Sequence, residues 1–205
     1  MLGFGPAVMR RFVGLERPQA HAHEDSKESD DRVGAEELYR AHADFVVKFL
    51  YRLGARVQEL EDLVQQVFLV AHDRGGYVRG SAQPTTWLAC IAVRVLSTHR
   101  RTARRKKLNE LSSPDELLEI PAEEGADAHR RTEARESLAR VGRALDKLPE
   151  EQRLLFVLHE IEERSCSSLA QELDLPIGTV HSRLFAARRA FIEAYEREAK
   201  PRRKP

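Results

Sequence analysis

This sequence predicts an all-α fold: two small helical domains joined by a flexible acidic linker, the second containing a helix-turn-helix. Three observations carry that expectation. Of 205 residues, 41% are apolar and 33% charged but only 6% aromatic, a balance short of the side chains that strands favour. Apolar residues recur at three- and four-residue steps in segment after segment, the period of an amphipathic helix. Between two such series, Leu108 to Ala128 carries Glu110, Asp115, Glu116, Glu119, Glu123, Glu124 and Asp127 and no base.

Residues 1–33 mix Gly, Pro, Ser and charge without a sustained apolar period and are expected to be a disordered extension. His21 and His23 form a lone His-x-His with no further ligand at metal-binding spacing. The first domain is expected over 34–107. Leu38, Tyr39, Phe45, Val46, Phe49, Leu50 and Leu53 mark one helix, with Gly54 as its stop. A second runs from Val57 to His72 with Leu60, Leu63, Val64, Val67 and Phe68 inward. Its other face offers Glu59, Asp62, Gln65 and Gln66 to a partner. Arg74 to Gln83 reads as a loop loosened by Gly75, Gly76 and Gly80, with Tyr77 and Arg79 exposed. Ser81 is the expected cap of the next helix, Pro84 lies in its first turn, and Trp87, Leu88, Cys90, Ile91 and Val95 are buried.

Pro114, Pro121 and Gly125 break residues 108–130 into a linker. The second domain is expected over 131–199, followed by a basic tail at 200–205. Leu138, Val141 and Leu145 are in phase, Pro149 opens the next helix, and Leu154, Leu155, Val157, Leu158 and Ile161 form its core side. Ser165 begins a short helix with Leu169, Ala170 and Leu173 inside. Small Ala170, turn residue Asp174 and β-branched Val180 have helix-turn-helix spacing. Gly is usual at the turn; Asp tolerates the left-handed region at a cost of about 1 kcal/mol. The following helix then turns Thr179, His181, Ser182, Arg183 and Ala186 outward.

The net charge of +1 hides a partition. Arg94, Arg100, Arg101, Arg104, Arg105, Lys106 and Lys107 form one basic block. Arg183, Arg188, Arg189, Arg197, Lys200, Arg202, Arg203 and Lys204 form another. Two basic blocks on either side of an acidic one suggest two polyanion-binding surfaces on a tether. No apolar run reaches the roughly 20 residues of a membrane helix. The apolar stretch Leu2 to Met9 precedes Arg10 and Arg11, the reverse of a secretory signal. Cys90 and Cys166 are too few for a disulfide framework. The expected location is the cytoplasm.

Four strings then matter together: LYRAHADFVVKFLYRLG (Leu38–Gly54), EDLVQQVFLVAH (Glu61–His72), TWLACIAVRVLSTHRR (Thr86–Arg101), and LPEEQRLLFVLHE with LAQELDLPIGTVHSRLFAARR within Leu148–Arg189. In this order and spacing the chain resembles the extracytoplasmic-function (ECF) sigma factors of bacterial RNA polymerase. The resemblance implies a first domain that binds the polymerase clamp and melts the minus-ten promoter element. It implies a second that reads the minus-thirty-five element beside the polymerase flap, and an anti-sigma protein as a further partner. Glu59, Asp62, Gln65 and Gln66 match the clamp-binding string. Tyr77, Arg79, Arg94, Thr98, Arg100, Arg101, Arg104 and Arg105 fall where the minus-ten element is met. Thr179, His181, Ser182, Arg183, Ala186, Arg188 and Arg189 fall where the minus-thirty-five element is read.

The chain departs from the family's common pattern at Gln66 (often an acid), Pro84 (a larger apolar residue), Arg94 (Asn), Thr98 (an acid), His181 (Lys or Arg) and Cys166 (aromatic or small). A helix-turn-helix regulator acting without polymerase would explain Ser165 to Arg189 but leaves the first domain without a role. An enzyme is not expected, since no phosphate-cradling Gly loop, metal spacing or nucleophile–base pair is visible, and no cofactor is implied. Cys90 and Cys166 are read as packing residues. The acidic linker is expected to thread the polymerase's basic RNA channel or to fold back on the basic blocks.

Overall fold

A computed structural model describes the backbone of residues 32–109 and 126–199 and the side chains of 32–106 and 136–198. The sequence-based expectations for 1–31, 110–125 and 200–205, which include His21, His23, the acidic linker and the basic tail, lie outside the described residues. The first bundle contains α1 (Ala35–Arg52), α2 (Val57–Asp73) and α3 (Pro84–Asn109). The second contains α4 (Ala126–Leu145), α5 (Glu150–Glu160), α6 (Cys166–Glu172) and α7 (Ile177–Ala199).

The apolar period does what it predicts except at Tyr39, which is 51% exposed at the rim of the α1 stripe. Leu38, Val46, Phe49 and Leu50 on α1 are buried, as are Leu63, Val64, Val67, Phe68 and Ala71 on α2. They close on Leu88, Ile91 and Leu96 of α3. In the second bundle Leu145, Leu155, Leu158, Leu169, Val180, Leu184 and Ala187 are buried. The two bundles are not separate: their buried residues join into one continuous apolar cluster.

Several boundaries differ from expectation. Arg32 and Val33, expected within the N-terminal extension, form β1 (Arg32–Val33), which pairs antiparallel with β2 (Tyr77–Val78) inside the expected loop. Gly76 turns back close to that pair; a Cβ on it would stand 2.4 Å from the Val33 carbonyl oxygen. Ser81 does not cap α3: it lies in a bend, the helix starts at Pro84, and the Trp87 amide reaches the Gln83 carbonyl at 3.0 Å. Helix α3 continues to Asn109 and α4 starts at Ala126, so helices enter the expected linker from both sides.

Candidate nucleic-acid and polymerase interface

The helix-turn-helix is built as its spacing demands. The Ser165 hydroxyl oxygen accepts the Ser168 amide at 3.1 Å and caps α6. At the other end Asp174 takes φ 49°. The Leu175 amide donates to the Ala170 carbonyl at 2.9 Å, and the Asp174 amide to the Gln171 carbonyl at 3.4 Å. This is a Schellman turn made without glycine. Val180 is fully buried at the crossing. His181, Ser182 and Ala186 are exposed along the first turns of α7, with Thr179 half-buried. The arginines are less free than expected. Arg183 meets Glu151 at 2.9 Å and is largely covered, Arg188 is exposed but meets Glu160 at 2.7 Å, and Arg189 projects with a loose 3.9 Å pair to Glu193.

In the first bundle Asp62, Gln65 and Gln66 are exposed on α2. Glu59 is engaged, accepting the Arg56 amide at 3.1 Å in the capping box that starts the helix. Beside this face lies a groove of about 760 Å³ between α1 and α2. Val57 and Leu69 line it while 68% and 53% exposed. A polar row beside uncovered apolar side chains is the anatomy of a protein-binding surface.

Tyr77 corrects an expectation. Its ring is only 5% exposed, packs 5.8 Å from Trp87, and its hydroxyl donates to the Ala82 carbonyl. The β1–β2 pairing turns it inward, so Val78 and Arg79 are exposed in its place. Arg101, Arg104 and Arg105 project from the end of α3, with Arg104 3.9 Å from Asp146. Arg100 does not project. Its guanidinium donates to Asp146, to the Gly54 carbonyl at 2.6 Å and to the Leu53 carbonyl at 3.2 Å.

Arg74 was not singled out from the sequence. It shares with Arg94, Thr98 and Gln66 a groove of about 350 Å³ between α2 and α3. Burial, and then the charge of Arg94, pull its guanidinium below the ordinary arginine range. Its Nη1 is buried without a hydrogen-bond partner among the described residues. Two guanidinium groups lining one groove suit an anion. The only sequence signal was Arg74's place at the end of α2, which pattern reading assigned to a loop.

Among the described residues no cluster of His, Cys, Asp and Glu could hold a metal, and no helix is long and apolar enough to cross a membrane. The family model for sigma-70 region 2 matches residues 38–106 and that for sigma-70 region 4 matches 138–191. The chain is 30% identical over 155 residues to the RNA polymerase sigma-H factor of Pseudomonas aeruginosa, covering 74% of this chain and 80% of that one. It is 32% identical over 154 residues to the ECF RNA polymerase sigma factor SigE of Mycolicibacterium smegmatis, covering 75% and 58%. With the ECF RNA polymerase sigma-E factor of Escherichia coli K12 it shares 28% identity over 158 residues, 71% and 81% of the two chains. A helical bundle carrying region 2, a helix-turn-helix carrying region 4 and these relatives lead to one conclusion: the chain belongs to the sigma-70 family, in its ECF group, and serves promoter-specific transcription initiation by RNA polymerase.

Proposed function

We propose that the first bundle docks on the polymerase clamp and opens the minus-ten element, and that α7 reads the minus-thirty-five element. The observation that carries this reading is the pairing of an exposed polar and apolar face on α2 with a properly turned helix-turn-helix, one surface suited to protein and the other to DNA. Asp62, Gln65 and Gln66 meet the clamp, with Glu59 holding the start of their helix. The groove residues Val57 and Leu69 extend that contact. Arg94, Thr98, Arg101, Arg104 and Arg105 hold the melted strand, and Arg74 joins them. Phosphate contacts give affinity without sequence information. With Tyr77 turned inward, capture of an unstacked base falls to the segment around Val78, Arg79 and Ser81.

On α7, Thr179, His181, Ser182 and Ala186 face base edges, while Arg183, Arg188 and Arg189 exchange their carboxylates for phosphates. The chain itself performs no catalysis and works in the cytoplasm. An anti-sigma protein covering the α2 face would silence it. Run-off transcription with sigma-free core polymerase on a promoter library tests the reading. Protein-dependent starts sharing minus-ten and minus-thirty-five motifs are expected. Absence of both transcription and core binding, with specific binding to duplex DNA, would replace it with a polymerase-independent regulator.

A further inference from the structure

The groove between α2 and α3 combines features that a phosphate contact alone does not need. Leu69, Ile91 and Val95 give it apolar walls, and Arg74, Arg94, Gln66 and Thr98 set polar groups among them. No acid lines it, so two cations share about 350 Å³ without a counter-charge in the groove itself. Arg74 is half-buried, and its Nη1 has no hydrogen-bond partner among the described residues. A guanidinium stripped of water without an acceptor costs free energy that a ligand's acceptor returns. The groove also opens beside a basic track. Arg94, Thr98, Arg101 and Arg105 follow one another at steps of four, three and four residues on α3, which places them on one helix face. They cover about 16 Å of its length at 1.5 Å per residue. Thr98, Arg101 and Arg105 are exposed. A strand whose phosphates follow Arg101 and Arg105 is led over the groove, because Arg94 and Thr98 belong to both.

We infer that this groove takes one guanine base of the melted strand, its O6 and N7 accepting from Arg74 and Arg94 and its N1–H and N2 amino group donating to the Gln66 amide oxygen or the Thr98 hydroxyl. The inference rests on the proposed function and names a base that the first bundle reads, beyond the one captured around Val78, Arg79 and Ser81. The pattern of donors and acceptors makes the choice. Guanine carries two acceptors on one edge, the pair that arginine matches best. Adenine sets its N6 amino group, and cytosine its N4 amino group, against guanidinium groups that can only donate. Thymine offers a lone O4 beside a methyl group. The wrong base leaves half-buried donors unpaired, which is how a polar site rejects an analogue. A phosphate would satisfy both arginines but leave the Gln66 oxygen and the apolar walls unused, whereas a base lays its flat faces on aliphatic side chains. In the melted strand the base is already unpaired and enters without a further loss of pairing.

The holoenzyme tests it. Core polymerase with the parent, Arg74→Gln or Arg94→Gln is given a promoter library randomised across the minus-ten region, and sequencing of the start sites yields the preference at each position. The parent should require guanine at one melted position. Each variant should lower the preference for guanine over adenine there by about tenfold, with the preferences at other positions and at minus thirty-five unchanged. On a premelted promoter carrying 7-deazaguanine at that position, which lacks the N7 acceptor, the parent should lose affinity and Arg94→Gln should not. Circular dichroism checks folding, and Arg94→Gln keeps the test intact if Arg74→Gln is unfolded. No guanine preference in the parent, or an undiminished one in the folded variants, overturns the inference. So does an equal loss on every sequence, which marks a phosphate contact instead. Failure of the parent to start transcription with core polymerase overturns the proposed function. The full chain alone then decides the groove, by fluorescence anisotropy on a labelled oligo-dT strand with one central dG or dA: tighter binding to dG, lost in Arg94→Gln, supports it, and equal binding overturns it.

Discussion

Glu172 of the short helix α6 accepts a hydrogen bond from the Thr86 hydroxyl at 2.6 Å, and 86 residues of chain separate the two partners. Thr86 is fully buried, so this carboxylate satisfies a hydroxyl that water cannot reach. Removing it orphans Thr86 and releases Ser168, Arg164 and the Gln83 amide together. Glu172→Ala should cost on the order of 2 kcal/mol in chemical denaturation, the scale of an unsatisfied buried polar group.

The same residue sets an acid limit on stability. Burial pushes its carboxyl up, but hydrogen bonds from Ser168, Thr86 and the Gln83 amide, with the charge of Arg164, outweigh it. The net result lies below the ordinary value of 4.5. A depressed carboxyl contributes stability above its unfolded value and loses it as pH falls through the folded one. Melting temperature should therefore drop more steeply below pH 4.5 in the parent than in Glu172→Gln. Parallel curves for the two would remove Glu172 from the account.

Asp174 stands at φ 49° where glycine is usual. Asp174→Gly should stabilise the second bundle by up to about 1 kcal/mol, and a β-branched Val there should destabilise it by more. Urea denaturation of the three chains gives the order directly. A neutral or destabilising Gly would mean that the Asp side chain contributes more than its backbone costs.

Cys90 is 1% exposed, and burial pushes its thiol up to about 12, Arg74 opposing only in part. At pH 8 only about one such thiol in 10,000 is ionised. Iodoacetamide should label the partly exposed Cys166 in the native chain and reach Cys90 only after denaturation, as read by intact mass. Rapid native labelling of Cys90 would show that the first bundle opens readily.

Asp62 and Gln65 are exposed on α2, so Asp62→Arg with Gln65→Arg should leave melting unchanged. Core polymerase binding should weaken at least about tenfold, since the exchange removes the carboxylate of that face and places two bulky cations in the contact. Biolayer interferometry against immobilised core polymerase measures it. Full affinity in the double variant would move the clamp contact elsewhere.

The helices were legible because burial follows period. Leu63, Val67 and Ala71 had to lie on one face of α2, and Leu155 and Leu158 on one face of α5, whatever they packed against. Ser165 and Asp174 were legible because a cap and a left-handed turn are local chemistry. Tyr77 and Ser81 were misread for a related reason. Their setting depends on a strand pair between residues more than 40 positions apart, and two-residue strands leave no periodic trace.

The sequence by itself determined the two sigma regions, the helix faces and the polarity of the turn, since these follow from residue type and spacing within about 20 residues. Only the tertiary structure decided that Arg100 faces Asp146 rather than solvent, that Arg74 and Arg94 share a groove, and that Glu172 locks onto Thr86. The physical reason is that a charge is solvated by whatever the fold brings to it. An arginine at the end of a helix reads the same in sequence whether water, phosphate or a distant carboxylate completes its hydrogen bonds.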